Sequence, residues 1–192
     1  DVLALERMPS QRMTVPVSIV GQGPYRFLVD TGSERSAISH ELARALALDA
    51  GTTVTVQSMT EARRTPTVVI PTLKVGRRTV SSIHAPAFAR HHIGAEGLLG
   101  IDTLRSQRVE LDFGQLKMTV GPSPSASWPS GTIVVTTRNR FGHLMLVDAA
   151  FEGERVWVII DTGAEVTVAN SALRGRLERR GRGGPMQRIG LT

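Results

Sequence analysis

Cysteine is absent from the 192 residues, which excludes a disulfide scaffold, a thiol nucleophile and a thiolate-held metal. Long apolar runs are absent as well. Stretches such as Val156 to Ile160 fall far short of the roughly 20 residues that a bilayer-crossing helix needs, so no membrane span is expected. The chain opens on Asp1 rather than Met. That reads as loss of an upstream segment, either a cleaved signal peptide or a boundary set in cloning, and with the lack of cysteine it points to a periplasmic or secreted protein. What remains is an ordinary globular composition, 41% hydrophobic and 21% charged, at a length that supports one large domain or two small ones. The net charge is +6, and between Arg174 and Arg188 six arginines face a single acid, Glu178. A solvated helix end followed by a loop accounts for such a run, and no nucleic-acid partner is expected.

Apolar and polar residues alternate over Met13 to Val20, and a second strand-like run, Tyr25 to Val29, follows after Gly21-Gln22-Gly23-Pro24. This is the pattern of a β-hairpin. His40 to Leu48 carries Leu42 and Leu46 at helical spacing. Strand-rich stretches come next, over 52–59, 65–73, 79–85, 108–113 and 116–120, with turn chemistry at Val75-Gly76-Arg77 and Phe113-Gly114-Gln115. The fold class is therefore mainly β. Residues 121–131 hold Pro122, Pro124, Pro129 and four serines, a linker composition. The expected organisation is a complete lobe over 1–120, a linker over 121–131 and a second, shorter lobe over 132–192.

Beyond the linker the pattern restarts. A shift of 131 positions lays Leu146 on Val15, Phe151 on Val20, Val158-Ile159-Ile160 on Phe27-Leu28-Val29, Asp161-Thr162-Gly163 on Asp30-Thr31-Gly32, and Leu173 on Leu42. Residue classes match without a gap from 143 to 173, which reads as an internal duplication.

One Asp-Thr-Gly is a weak signal, since all three are turn residues. Two copies at equivalent points of a repeat, each after an apolar strand, are a strong one. The strand carries the carboxylate to a sheet edge, Gly32 and Gly163 let the chain turn with no Cβ in the way, and Thr31 and Thr162 offer hydroxyls to the neighbouring loop. Facing loops would bring Asp30 and Asp161 together. Two carboxylates that close share a proton, one acting as base toward water and the other as acid toward a carbonyl oxygen. Ser33 and Ala164 break the symmetry: a hydroxyl bond from Ser33 would favour the negative charge on Asp30 and leave the shared proton on Asp161.

Phe27-Leu28-Val29-Asp30-Thr31-Gly32-Ser33, followed downstream by Leu98-Leu99-Gly100-Ile101-Asp102, resembles the retropepsin-like and pepsin-like aspartic proteases. The resemblance implies β-barrel lobes, closed or partly open, related by a pseudo-twofold axis, and aspartic endopeptidase activity with Asp30 and Asp161 catalytic and no metal or cofactor. It implies that Leu98, Leu99 and Gly100 underlie the catalytic loop of their own lobe. It also implies a flap between Val54 and Val68, where Gln57, Ser58, Met59, Thr60 and Glu61 would meet an extended peptide or protein substrate. Pepsin-type flaps carry a tyrosine, but the single tyrosine, Tyr25, lies elsewhere. In lobe one 70 positions separate Asp30 from Gly100, whereas 31 follow Asp161. Lobe two then lacks its own Leu-Leu-Gly, and the expectation is a chain that continues past Thr192 or a partner, such as a second copy, that completes it. The form as it stands would otherwise be inactive.

Other motifs have plainer readings. Asp102-Thr103 lacks the glycine and reads as a helix cap. His91-His92 reads as two residues on opposite faces of a strand, not as metal ligands. Arg179-Arg180-Gly181-Arg182-Gly183-Gly184, with no aromatics to stack on bases, reads as a flexible loop. Two rival functions use the same residues: a non-catalytic peptide-binding or dimerisation module of this fold, and an actin-like ATPase, whose phosphate loops also pair Asp-x-Gly hairpins but whose crossover helices are missing here.

Overall fold

A computed structural model describes residues 1–57, 62–104, 107–122, 137–140 and 143–182. In chain order the first lobe holds β1 (Val2–Ala4), β2 (Glu6–Arg7), β3 (Met13–Ile19), β4 (Gln22–Val29), β5 (Ala37–Ser39), α1 (His40–Ala45), β6 (Val54–Gln57), β7 (Ala62–Thr65), β8 (Thr67–Val75) and β9 (Arg78–Phe88). It continues through α2 (Arg90–Ile93), β10 (Gly97–Leu99), α3 (Ile101–Leu104), β11 (Gln107–Asp112) and β12 (Lys117–Pro122). The second lobe is described through β13 (Thr137–Arg140), β14 (His143–Phe151), β15 (Glu154–Ile159) and α4 (Ser171–Arg179).

The fold is mainly β, and lobe one closes on itself. Strands run in the order β3, β4, β10, β5, β9, β8, and β8 returns to β3 through Ser18 opposite Lys74 and Ile19 opposite Leu73. Closure removes the two open edges that a flat sheet would expose. The alternation in β3 sends Val15, Val17 and Ile19 inward, where they meet Phe27, Val29, Ile38, Ile70, Leu73 and Leu99, all at most 1% exposed. Each such side chain contributes roughly 1.5–3 kcal/mol by leaving water. Strand β4 is covered on both sides: Leu28 points away from the barrel into a second cluster with Ile93 of α2 and Ala95, which explains why Phe27-Leu28-Val29 is apolar without alternation.

Beneath the barrel, β1 and β11 flank β12 in a separate antiparallel sheet, and the Asp1 amino group donates to the Val120 carbonyl at 2.7 Å. Gly121 and Pro122, read from sequence as the start of the linker, instead extend β12 and lie opposite Arg108 and Gln107. The rest of that linker lies outside the described residues.

The duplication is visible in the backbone. Helix α1 is capped by Ser39, whose hydroxyl accepts from Leu42 N–H, and α4 is capped by Asn170, whose side chain accepts from Leu173 N–H. The two caps stand 131 positions apart. At the Asp end the hairpins share one register, Thr14 opposite Leu28 and Met145 opposite Ile159. At the far end they slip by one residue. Both tips are two-residue turns in left-handed backbone, Val20-Gly21 and Glu152-Gly153, the geometry that suits the strand twist, and the second lies one position beyond the strict repeat.

Two local expectations are corrected. His91 and His92 sit on α2, not on a strand, with their rings edge to face at 4.0 Å, because Gly94 (φ 81°) closes a single helical turn there. Arg179 and Arg180 are the end and cap of α4, and Arg182 N–H bonds back to Leu177, so the described part of that segment is a docked helix terminus. Arg180 and Arg176 pair with the buried carboxylate of Glu154, at 2.7 and 3.9 Å, and Arg182 donates to the Glu152 carbonyl. No described helix is long and apolar enough to cross a membrane.

Candidate active site

The site is built from the ends of β4 and β15, where each apolar strand runs into its Asp-Thr-Gly loop. The two loops interlock. Thr31 Oγ1 donates to the Ile160 carbonyl (2.7 Å) and Thr162 Oγ1 donates to the Val29 carbonyl (2.6 Å). In return, Thr31 N–H donates to Thr162 Oγ1 (3.2 Å) and Thr162 N–H to Thr31 Oγ1 (3.1 Å). Each threonine thus grips the residue just before the opposite aspartate. Four such bonds at about 0.5–1.5 kcal/mol each hold the lobes together here.

This interlock sets the carboxylates side by side. A Cβ placed on Gly32 would lie 2.4 Å from Asp161 Cγ, and one placed on Gly163 would lie 2.6 Å from Asp30 Cγ. Each glycine is therefore the floor against which the other lobe's carboxylate rests, and no larger residue fits. Within each loop the carboxylate is held in the same way: Asp30 Oδ1 accepts from Gly32 and Ser33 N–H (3.0 and 3.1 Å), and Asp161 Oδ1 accepts from Gly163 and Ala164 N–H (2.8 and 3.0 Å).

The sequence-derived asymmetry is corrected here. Ser33 Oγ does not reach Asp30; it donates to the Arg35 carbonyl at 2.8 Å, and position 33 serves the carboxylate only through its backbone, as Ala164 does. The asymmetry that matters is burial: Asp30 is half-buried and Asp161 exposed. Burial first, then the negative charge of Asp161 and its hydrogen bond, push the Asp30 carboxyl up to about 6, against the opposing pull of the Gly32 and Ser33 amides. The pair therefore holds a proton to a higher pH than a free carboxylate would.

Leu98, Leu99 and Gly100 lie beside this loop. Strand β10 slots between β4, parallel, and β5, antiparallel, and the Leu99 carbonyl accepts from Asp30 N–H at 3.0 Å. Gly100 packs so tightly on Arg35 that a Cβ would fall 2.4 Å from its carbonyl carbon. Asp102, expected as a cap, instead reaches out of α3 to Ser36. Where the resemblance implies a flap, β6 and β7 form a two-stranded hairpin, paired from Val54 opposite Thr65 to Gln57 opposite Ala62. Ser58, Met59, Thr60 and Glu61, named above as substrate-facing, lie outside the described residues. Among the described residues no group of three or more His, Cys, Asp or Glu is gathered as a metal site.

Sequence reasoning missed one further contact between the lobes. Arg12, mostly buried, reaches Glu165 just past the second loop at 3.5 Å. The repeat flags Glu165 through its match to Glu34, but nothing in the sequence points to Arg12.

A family model described as aspartyl protease matches residues 15–103. No curated protein matches the chain. Among solved structures, a retropepsin-like aspartic protease from Rickettsia conorii is similar at 18% identity and a TM-score of 0.48, over 62% of this chain and 88% of that one. The matched residues 15–103 carry the first Asp-Thr-Gly loop, the barrel and the Leu-Leu-Gly strand, so it is this part of the chain that is similar to the aspartyl proteases.

Proposed function

We propose that the chain is an aspartic endopeptidase that cleaves extended peptides with water activated between Asp30 and Asp161. The observation that carries the reading is the reciprocal packing of each carboxylate on the other loop's glycine, braced by the threonine exchange. With one proton shared by the pair, the ionised carboxylate takes a proton from water as the water oxygen attacks the peptide carbonyl carbon. The protonated carboxyl gives its proton to the carbonyl oxygen. The resulting diol collapses with transfer of a proton to the leaving nitrogen, and the C–N bond breaks. No covalent bond to the protein forms. The two-stranded β6–β7 hairpin supports an extended substrate held by strand-like backbone bonds.

The test is cleavage of an unfolded protein at pH 4 to 6, with and without a statine-type inhibitor. Asp30→Asn and Asp161→Asn are each expected to abolish it. Inhibitor-blocked peptide binding with no cleavage would instead favour the peptide-binding module.

A further inference from the structure

We propose that Asp102 is a positioning residue: with Ser36 it locks the loop 30–36 at the setting that places Asp30 against Asp161. The backbone already laces this loop to the segment after β10. Asp30 N–H bonds to the Leu99 carbonyl (3.0 Å), Ile101 N–H to Ser33 (2.9 Å) and Asp102 N–H to Glu34 (3.3 Å). Those contacts stop at residue 34. Asp102 closes the far end. Its Oδ1 accepts from Ser36 N–H (2.9 Å), Ser36 Oγ (2.7 Å) and Thr103 N–H (2.8 Å). Ser36 is completely buried, and its hydroxyl accepts from Gly100 N–H at 3.0 Å, while Thr103 Oγ1 donates to the Gly100 carbonyl at 3.0 Å.

One carboxylate oxygen therefore gathers both ends of a small polar ring in the interior, and the ring's other members are the backbone of Gly100. A carboxylate is the strongest acceptor for such a cluster, and a half-satisfied ring in a dry interior would release the loop. The repeat puts Thr167 in the place of Ser36 in lobe two, where it is exposed. The brace thus belongs to the loop that bears the more buried aspartate.

The proposal rests on the protease reading only for its kinetic readout, so a second readout is independent of turnover. The Asp30 carboxyl carbon is titrated by NMR in the full chain, alongside kcat and KM on a cleaved peptide. Asp102→Ala should lower kcat about 100-fold, the scale set by an ångström of misplacement, with KM little changed, and move the Asp30 midpoint from about 6 toward the ordinary carboxylate range. Asp102→Asn keeps an acceptor oxygen and should rescue both. Ser36→Ala, which removes the hydroxyl alone, should fall between. A folded Asp102→Ala with wild-type kcat and midpoint would overturn the proposal. If Asp102→Ala does not fold, a wild-type kcat and an unchanged midpoint in Ser36→Ala would overturn it equally. A wild-type chain that cleaves nothing, yet whose Asp30 midpoint responds to these changes, would sink the protease reading and leave the brace standing.

Discussion

Replacing Asp30 by Asn should make the protein more stable at neutral pH while removing its activity. The raised carboxyl binds its proton more tightly in the folded protein than in the unfolded chain. Below the unfolded value of 3.8 both states are protonated and nothing is lost. As pH rises from there through about 6, the unfolded chain ionises first and the folded state is penalised. Two units at 1.36 kcal/mol each give about 3 kcal/mol lost by pH 7. Asparagine has no proton to lose, and its side-chain oxygen still accepts from Gly32 and Ser33. Urea denaturation followed by circular dichroism at pH 3.5, 5 and 7.5 reads the difference between variant and wild type. That difference should grow in favour of the variant by about 2 to 3 kcal/mol from the lowest pH to the highest. A gap that stays flat with pH, or that widens in favour of the wild type, would refute the burial argument.

Peptide cleavage should fall away as pH rises through an apparent value near 6, because the pair loses its shared proton there; a pH–rate profile reads it. Thr31→Val removes one hydroxyl that both donates and accepts, and should cost about 1–3 kcal/mol in thermal denaturation, with kcat falling alongside. Gly163→Ala drives a methyl to within 2.6 Å of Asp30 Cγ and should abolish cleavage while leaving lobe one folded, as amide exchange in β3 and β4 would show. Arg12→Ala should cost no more than about 1 kcal/mol, since its partner Glu165 is half exposed; a loss of several kcal/mol in denaturant titrations would contradict that.

The sequence disclosed the parts of this fold that recur or alternate. The hairpin of β3 and β4 is written in its period-two pattern, the β8–β9 turn in Val75-Gly76-Arg77, and both aspartate loops in a repeat whose spacing survives to the helix caps. Elements of two or three residues, β1, β2, β5 and β10, carry no period, and only their pairing with neighbouring strands makes them strands. Leu98-Leu99-Gly100 was legible through resemblance, while its place between β4 and β5 needed three-dimensional packing. The partner of the Ser33 hydroxyl was misjudged because the sequence places that hydroxyl beside Asp30 but does not display the turn that hands it to the Arg35 carbonyl. Arg12 and Ser36 were invisible for a related reason: their partners, Glu165 and Asp102, lie far along the chain.

Because Thr31 and Thr162 sit on one polypeptide, the two loops meet in an intramolecular event whose effective concentration does not depend on that of the protein. Diluting the protein therefore leaves the pair intact. A separate-chain assembly of the same loops would fall apart at nanomolar levels unless its interface were correspondingly tight, whereas here the meeting of the two loops is independent of protein concentration.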